Sequence, residues 1–252
     1  MPHPFDLRGR VALVTGASSG IGQAICAALA EAGADIAGVS RGELGATRAL
    51  VEGAGRRFTA ITADLAELTD GEAPIAAAAA TLGRLDILVN AAGTIHRAPS
   101  LEITAQAFDA VINTNLRAVF LLSSAAARRF LAQGGPGRII NIASMLSFQG
   151  GLGVASYAAS KSGLAGLTRA LANEWAAHGI NVNAIAPGYI ETAMTRPLAA
   201  DQERNRAILA RIPAGRWGRP ADIAGMAVFL ASDAAAYCHG TLYPVDGGWL
   251  SR

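Results

Sequence analysis

Short aliphatic runs alternate along the chain with longer stretches whose apolar positions recur at helical spacing. Alternation of this kind is the mark of βαβ units wound around a parallel sheet. It predicts strands over 11–15, 35–39, 58–62, 87–89, 138–142, 181–186 and 242–245, and helices over 21–32, 43–54, 70–82, 104–132, 155–178 and 221–231. Most of the strands are nearly continuous apolar runs, as strands covered by helices on both faces must be. No repeat, low-complexity tail or Pro/Gly-rich linker interrupts the pattern. The expected fold is therefore α/β, a single Rossmann-like domain over 1–252 with a doubly wound parallel sheet and helices on both faces. Segment 188–215 breaks the alternation and is expected to form a helical lid beyond the carboxyl ends of the strands, where open α/β sheets bind ligands.

Composition narrows the function. A chain of 252 residues with 52% apolar residues can build its core without a metal or disulfide. A net charge of +2 with no basic stripe speaks against nucleic acid as a partner. The uncharged run 11–30 is long enough to raise a membrane question, but its central glycines and serines read as strand, turn and helix. Cys26 and Cys238 stand apart from any ligand cluster, and the four histidines have no metal-ligand spacing. No secretory leader is evident in 1–10, so the expectation is a cytoplasmic protein with a small-molecule substrate and no membrane partner.

Gly16, Ser18, Ser19, Gly20, Ile21 and Gly22 follow the first strand and open the first helix. Gly16 permits the tight turn, Gly20 the close approach of a pyrophosphate, and Gly22 the packing of helix on strand. The helix N-terminus then offers free N–H groups to the anion. Tyr157 and Lys161, four residues apart, share one helix face, and Ser144 lies just past the strand ending at 142. A phenol is a poor base at neutral pH, and an adjacent ammonium favours its phenolate. With Ser144 bonding the substrate oxygen, Tyr157 can exchange a proton while a hydride moves to or from carbon.

These residues, taken together, resemble the short-chain dehydrogenase/reductase family almost end to end. The resemblance rests on TGASSGIG at 15–22, ADL at 63–65, NAAG at 90–93, NTNL at 113–116, Ser144, YAASK at 157–161 and PG at 187–188. It implies that Asn115 joins Ser144, Tyr157 and Lys161 in a water-linked proton relay. It also implies that Asp64 and Leu65 meet adenine, that Asn90, Ala91 and Gly93 flank the cofactor, and that Pro187, Gly188, Ile190 and Thr192 lie near the nicotinamide. NAAG stands where the family usually has NNAG, so position 91 lacks a side-chain amide. ASMLSFQGG at 143–151, NEWA at 173–176, NAIAPGY at 183–189, IPAGRWG at 212–218 and VDGGWLSR at 245–252 are similar to one branch of the family. That branch acts on 2-deoxy-D-gluconate or 2-dehydro-3-deoxy-D-gluconate, and the likeness implies a homotetramer.

Two choices stay open in the sequence. The second strand ends in Val39-Ser40-Arg41, without the acid that usually bonds a ribose 2′-hydroxyl, and Arg41 suits a 2′-phosphate. That leans toward NADP(H), while the branch resemblance leans toward NAD(H). For the substrate, Arg97 assisted by His96 is expected to anchor a carboxylate, with Met145 and Gln149 bordering it. The competing substrate is a 3-oxoacyl thioester or a general ketone, and the competing class is a dinucleotide-binding regulator without catalysis. Trp175, Trp217 and Trp249 are expected to pack the core or an interface.

Overall fold

The computed structural model describes residues 3–252. Among them β1 (Val11–Thr15), β2 (Asp35–Ser40), β3 (Phe58–Thr62), β4 (Ile87–Asn90), β5 (Gly137–Ile142), β6 (Ile180–Pro187) and β7 (Leu242–Val245) form one sheet. Its order is β3-β2-β1-β4-β5-β6-β7, and every neighbouring pair is parallel. The order reverses between β1 and β4, which opens a crevice at their carboxyl ends.

The helices are α1 (Gly20–Glu31), α2 (Gly45–Gly53), α3 (Glu72–Leu82), α4 (Ala105–Ile112), α5 (Ala118–Gln133), α6 (Ala155–Trp175), α7 (Arg196–Ala200), α8 (Gln202–Arg211) and α9 (Pro220–Ala231). Two apolar clusters show why the inner strands are continuous hydrophobic runs. Ala12 and Val14 of β1 face Ile25 and Leu29 of α1, Val51 of α2 and Leu230 of α9. Val11 and Leu13 face the other way, toward Ile75 of α3, Leu122 and Phe130 of α5 and Leu171 of α6. With period-two alternation and both faces buried, every position must be apolar. In β3, at the sheet edge, only Phe58 is buried, and the positions after it alternate half-buried and exposed.

The run 11–30 resolves into β1, a turn and α1. The helix expected over 104–132 is α4, then a π-turn over Asn113–Arg117, then α5. Apolar spacing continues smoothly across the turn, so periodicity alone could not reveal it. The combined helix Ala105–Gln133 is long and apolar enough to cross a membrane, yet half of its 18-residue apolar stretch is buried within this fold. Segment 188–215 carries α7 and α8, and its base is fastened by backbone bonds from Gly218 to Tyr189 and from Glu191 to Gly218.

Candidate active site

A cleft of about 670 Å³ opens over the carboxyl ends of β1, β2, β4, β5 and β6. Its floor is the turn 16–22. Gly16 and Gly20 hold φ of +66° and +56°, conformations that favour glycine. A Cβ on Gly22 would lie 2.2 Å from the Gly16 carbonyl oxygen, so only glycine lets α1 start this close to the turn. Ser19, the N-cap of α1, is extended and its side chain makes no capping bond. The N–H groups of the first turn therefore keep their capacity for an anion, and the cradle fits a pyrophosphate.

Along the cleft wall, Ser40 and Arg41 follow β2, with Asp64 and Leu65 facing them from the end of β3. Arg41 lies 3.4 Å from the Asp64 carboxylate and is largely exposed, free to turn toward a second anion. Asp64 also accepts from the Ala66 N–H at 2.9 Å. Ala91 and Gly93 line the middle, and Pro187, Gly188, Ile190 and Thr192 line the far end. Thr15, which the sequence reading passed over, accepts from both the Ala91 and Ala92 N–H groups at 3.0 Å, tying this loop to β1.

Asn90 is buried and does not line the cleft. Its amide donates to Asn141 at 2.9 Å and Ser123 at 3.2 Å, and Asn141 donates to Thr168 of α6 at 3.0 Å. This polar ladder fixes α6, and with it Tyr157, against β4 and β5. Asn115 sits in the π-turn, fully buried. Its Oδ1 accepts from the Thr94 N–H at 2.8 Å, while its Nδ2 donates to the Thr94 carbonyl at 2.9 Å and to Ser160 Oγ at 3.1 Å. With the amide thus engaged, its side chain braces the loop after β4 rather than facing the cleft.

Ser144, Tyr157 and Lys161 all border the cleft. The Ser144 hydroxyl accepts from the Leu146 N–H at 3.1 Å, which leaves its own proton to donate. Ser147 donates to the Lys161 carbonyl at 2.7 Å and pins the turn after β5 to α6. Lys161 Nζ donates to the Ile142 carbonyl at 2.6 Å and lies 5.6 Å from the centre of the Tyr157 ring. Burial pulls the Lys161 ammonium down to about 8. Burial also pushes Tyr157 above the ordinary phenol value, against smaller opposing pulls from the Ser144 hydroxyl and the Arg97 charge. The expectation that Lys161 lowers Tyr157 therefore needs correction: the phenol rises, and the cation it feels is Arg97. Both groups share one desolvated site, and burial is the largest influence on each.

A second chamber of about 820 Å³ adjoins the first and shares Ser144, Tyr157, Gly188, Met194 and Thr195 with it. Met145 and Gln149 line it, as expected, and so does Arg97, whose guanidinium donates to the Met194 carbonyl at 3.4 Å. His96 lines neither cavity. Arg204 and Arg211, which sequence reasoning missed, join Arg97 in the wall, and no carboxylate side chain lines the chamber. Positions 204, 207, 208 and 211 all face it, a helical stripe visible in the sequence once α8 is known to lie over the site. Trp249 also lines the chamber, besides packing with Met145, Ile208, Ile212 and Trp217.

Comparison with known proteins agrees with this geometry. A family model described as Enoyl-(Acyl carrier protein) reductase matches residues 16–250. The chain is 54% identical over 250 residues to a 2-dehydro-3-deoxy-D-gluconate 5-dehydrogenase from Dickeya dadantii (strain 3937), covering 99% of each. It is 51% identical to a solved structure from Agrobacterium tumefaciens described as a 2-deoxy-D-gluconate 3-dehydrogenase with bound NADP, with a TM-score of 0.91 and coverage of 99% and 100%. A gluconate 5-dehydrogenase from Burkholderia cenocepacia J2315, solved with NADP and tartrate, is 38% identical at a TM-score of 0.92, covering 99% of this chain and 98% of that one.

Proposed function

The chain belongs to the short-chain dehydrogenase/reductase family and is an NAD(P)-dependent oxidoreductase of CH–OH groups, and from that premise we propose that its substrate is an open-chain sugar acid. One observation carries the choice: the chamber that meets Ser144 and Tyr157 holds three arginines and no carboxylate side chain. Such a wall selects an anion. The sugar-acid names of the relatives support the same choice, and 2-dehydro-3-deoxy-D-gluconate or 2-deoxy-D-gluconate is the type of substrate we assign. The family description favours an acyl thioester, but three guanidiniums would stand idle beside an acyl chain.

The turn 16–22 with the α1 N-terminus would hold the pyrophosphate, Asp64 and Leu65 the adenine end, and Ile190 and Thr192 the nicotinamide end. We assign NADP(H) over NAD(H), since Arg41 rather than an acid follows β2 and both solved relatives described above contain NADP. When bound, the nicotinamide supplies or accepts the hydride. Ser144 donates a hydrogen bond from its hydroxyl to the substrate oxygen and keeps its proton. Tyr157 gives its phenolic proton to the developing alkoxide in reduction, or takes the alcohol proton in oxidation. Arg97 favours the phenolate that results, Lys161, beside the Tyr157 ring, would bond the cofactor ribose, and Asn115 acts as a positioning residue through Thr94. Residues 188–215 serve as the lid. Exposed Phe108 and Phe120, on adjoining helices, support a homotetramer, and the free thiols Cys26 and Cys238 accord with the cytoplasm.

The test is steady-state turnover on a panel of keto-uronates, deoxygluconates, 3-oxoacyl thioesters and neutral ketones, each with NADPH and NADH. The proposal expects the highest kcat/KM on a sugar acid with the phosphorylated cofactor. Preference for an acyl thioester would overturn it.

A further inference from the structure

Resting on the sugar-acid reading, we propose that Arg211, the Trp249 indole N–H and Arg204 form a carboxylate subsite in the substrate chamber, so that the lid rather than Arg97 holds the acid group. The Arg211 guanidinium lies over the Trp249 ring, 4.0 Å from its centre, and donates to Gln149 Oε1 at 3.5 Å. Stacking on one face and a bond at one edge fix the plane of the fork and leave its other N–H groups for a bidentate partner. Trp249 is only 5% exposed, yet its indole N–H has no hydrogen-bond partner, although the ring lines the chamber. A buried N–H left unpaired costs stability unless a ligand completes it.

Arg204 stands two turns before Arg211 on the same face of α8, with Ala207 leaving space between them. Tyr189, held edge-on between Trp217 and Trp249, marks where the charges converge. Burial raises its phenol, and the charges of Arg211, Arg204 and Arg97 pull it back, in that order of strength.

The substrate chemistry separates the roles of the arginines. In an acid oxidised at carbon 5, the carboxylate is carbon 1, four carbons from the reacting centre. Arg97 donates to the Met194 carbonyl at 3.4 Å, where the two cavities meet, which places it at the reacting end beside Tyr157. All three arginines border the second chamber and not the cofactor cleft, but Arg204, Arg211 and Trp249 share no such boundary bond and line the end that a carboxylate four carbons away would reach.

The experiment measures kcat and KM of Arg211→Met, Arg211→Lys, Trp249→Phe and Arg97→Met on 2-dehydro-3-deoxy-D-gluconate and on its carboxamide. Fluorescence titration with NADPH checks that each variant keeps its fold. Arg211→Met should lower kcat/KM for the acid by about 10–100-fold, chiefly through KM, the span for losing a charged hydrogen-bond partner. The loss on the carboxamide should be at least about tenfold smaller, and Arg211→Lys should restore part of it. Trp249→Phe keeps the ring and removes the N–H, so it should show a smaller acid-selective loss; if Arg211→Met fails to bind NADPH, this variant decides. Equal losses on acid and carboxamide, or an acid-selective loss in Arg97→Met alone, would overturn the subsite while leaving the sugar-acid reading intact. A wild-type enzyme that does not distinguish acid from carboxamide would instead overturn that reading, and the subsite with it.

Discussion

Lys161 gives the sharpest test of how the site is built. It is 4% exposed, and burial alone pulls its ammonium from the ordinary 10.5 to about 8. Between those values the unfolded chain holds more of this proton than the folded one, so stability rises with pH across the window. Below about pH 8 both states are protonated and the folded state bears the full cost of a buried ammonium, about 3 kcal/mol from the size of the shift. Lys161→Met removes the titration while keeping most of the packing volume. It also removes the bond to the Ile142 carbonyl, but that loss varies far less with pH than the ammonium's cost. The stability of wild type relative to Lys161→Met, without nucleotide, should therefore increase by about 3 kcal/mol between pH 7 and pH 10.5. In a domain of this size that corresponds to roughly 6–12 °C in the difference between their melting temperatures. Thermal unfolding of both proteins at matched concentrations over this pH range measures it. A difference that stays flat would mean that Lys161 titrates near its ordinary value, and the desolvated site would have to be abandoned. If the prediction holds, the enzyme keeps a destabilising lysine because the proton-transfer site requires one.

Two further outcomes follow from the cleft. Arg41→Ala should lower kcat/KM with NADPH by about 10–100-fold and change it with NADH by less than about threefold, using the range for charged hydrogen bonds; equal falls would leave Arg41 only its pairing with Asp64. Tyr157→Phe should keep NADPH binding by titration and cut turnover by about 10²–10⁴-fold, the usual effect of removing a positioned acid–base group. A variant retaining more than about a tenth of wild-type activity would remove Tyr157 from its role.

The sheet was largely legible because its inner strands are buried on both faces. The strands 11–15, 58–62 and 242–245 agree with the expectation at both ends, and the others run one residue longer at one or both ends. The cradle was legible too, since Gly16, Gly20 and Gly22 are dictated by local backbone geometry. What escaped depends on tertiary placement. The π-turn at Asn115 adds one residue to a helix without disturbing its apolar spacing. The direction of the Tyr157 shift follows from burial, which spacing along a helix does not encode. Arg204 and Arg211 went unremarked because only the tertiary fold lays α8 over the chamber.

Met145 links these parts mechanically. It follows Ser144 directly and lines the second chamber, and it packs in one apolar cluster with Ile208 of α8, Ile212, Trp217 and Trp249. Helix α8 is also held by Trp217, whose indole donates to Asn205 at 2.8 Å. The turn that carries Ser144 and the helix that carries Arg204 and Arg211 therefore rest on a shared core, and a displacement of one is transmitted to the other. In such an arrangement the distance between the guanidiniums and the proton-transfer groups is set by packing, not by flexible side chains alone. Only a substrate whose carboxylate and carbinol carbon match that distance can satisfy both ends at once. Its reacting carbon is then delivered in one orientation, and binding at the remote end is converted into rate at the reacting end. A neutral ketone reaching the same Tyr157 would lack the second point of attachment. Specificity for a sugar acid would thus reside in the spacing between two fixed sites, with the chemistry of Ser144, Tyr157 and Lys161 left unchanged.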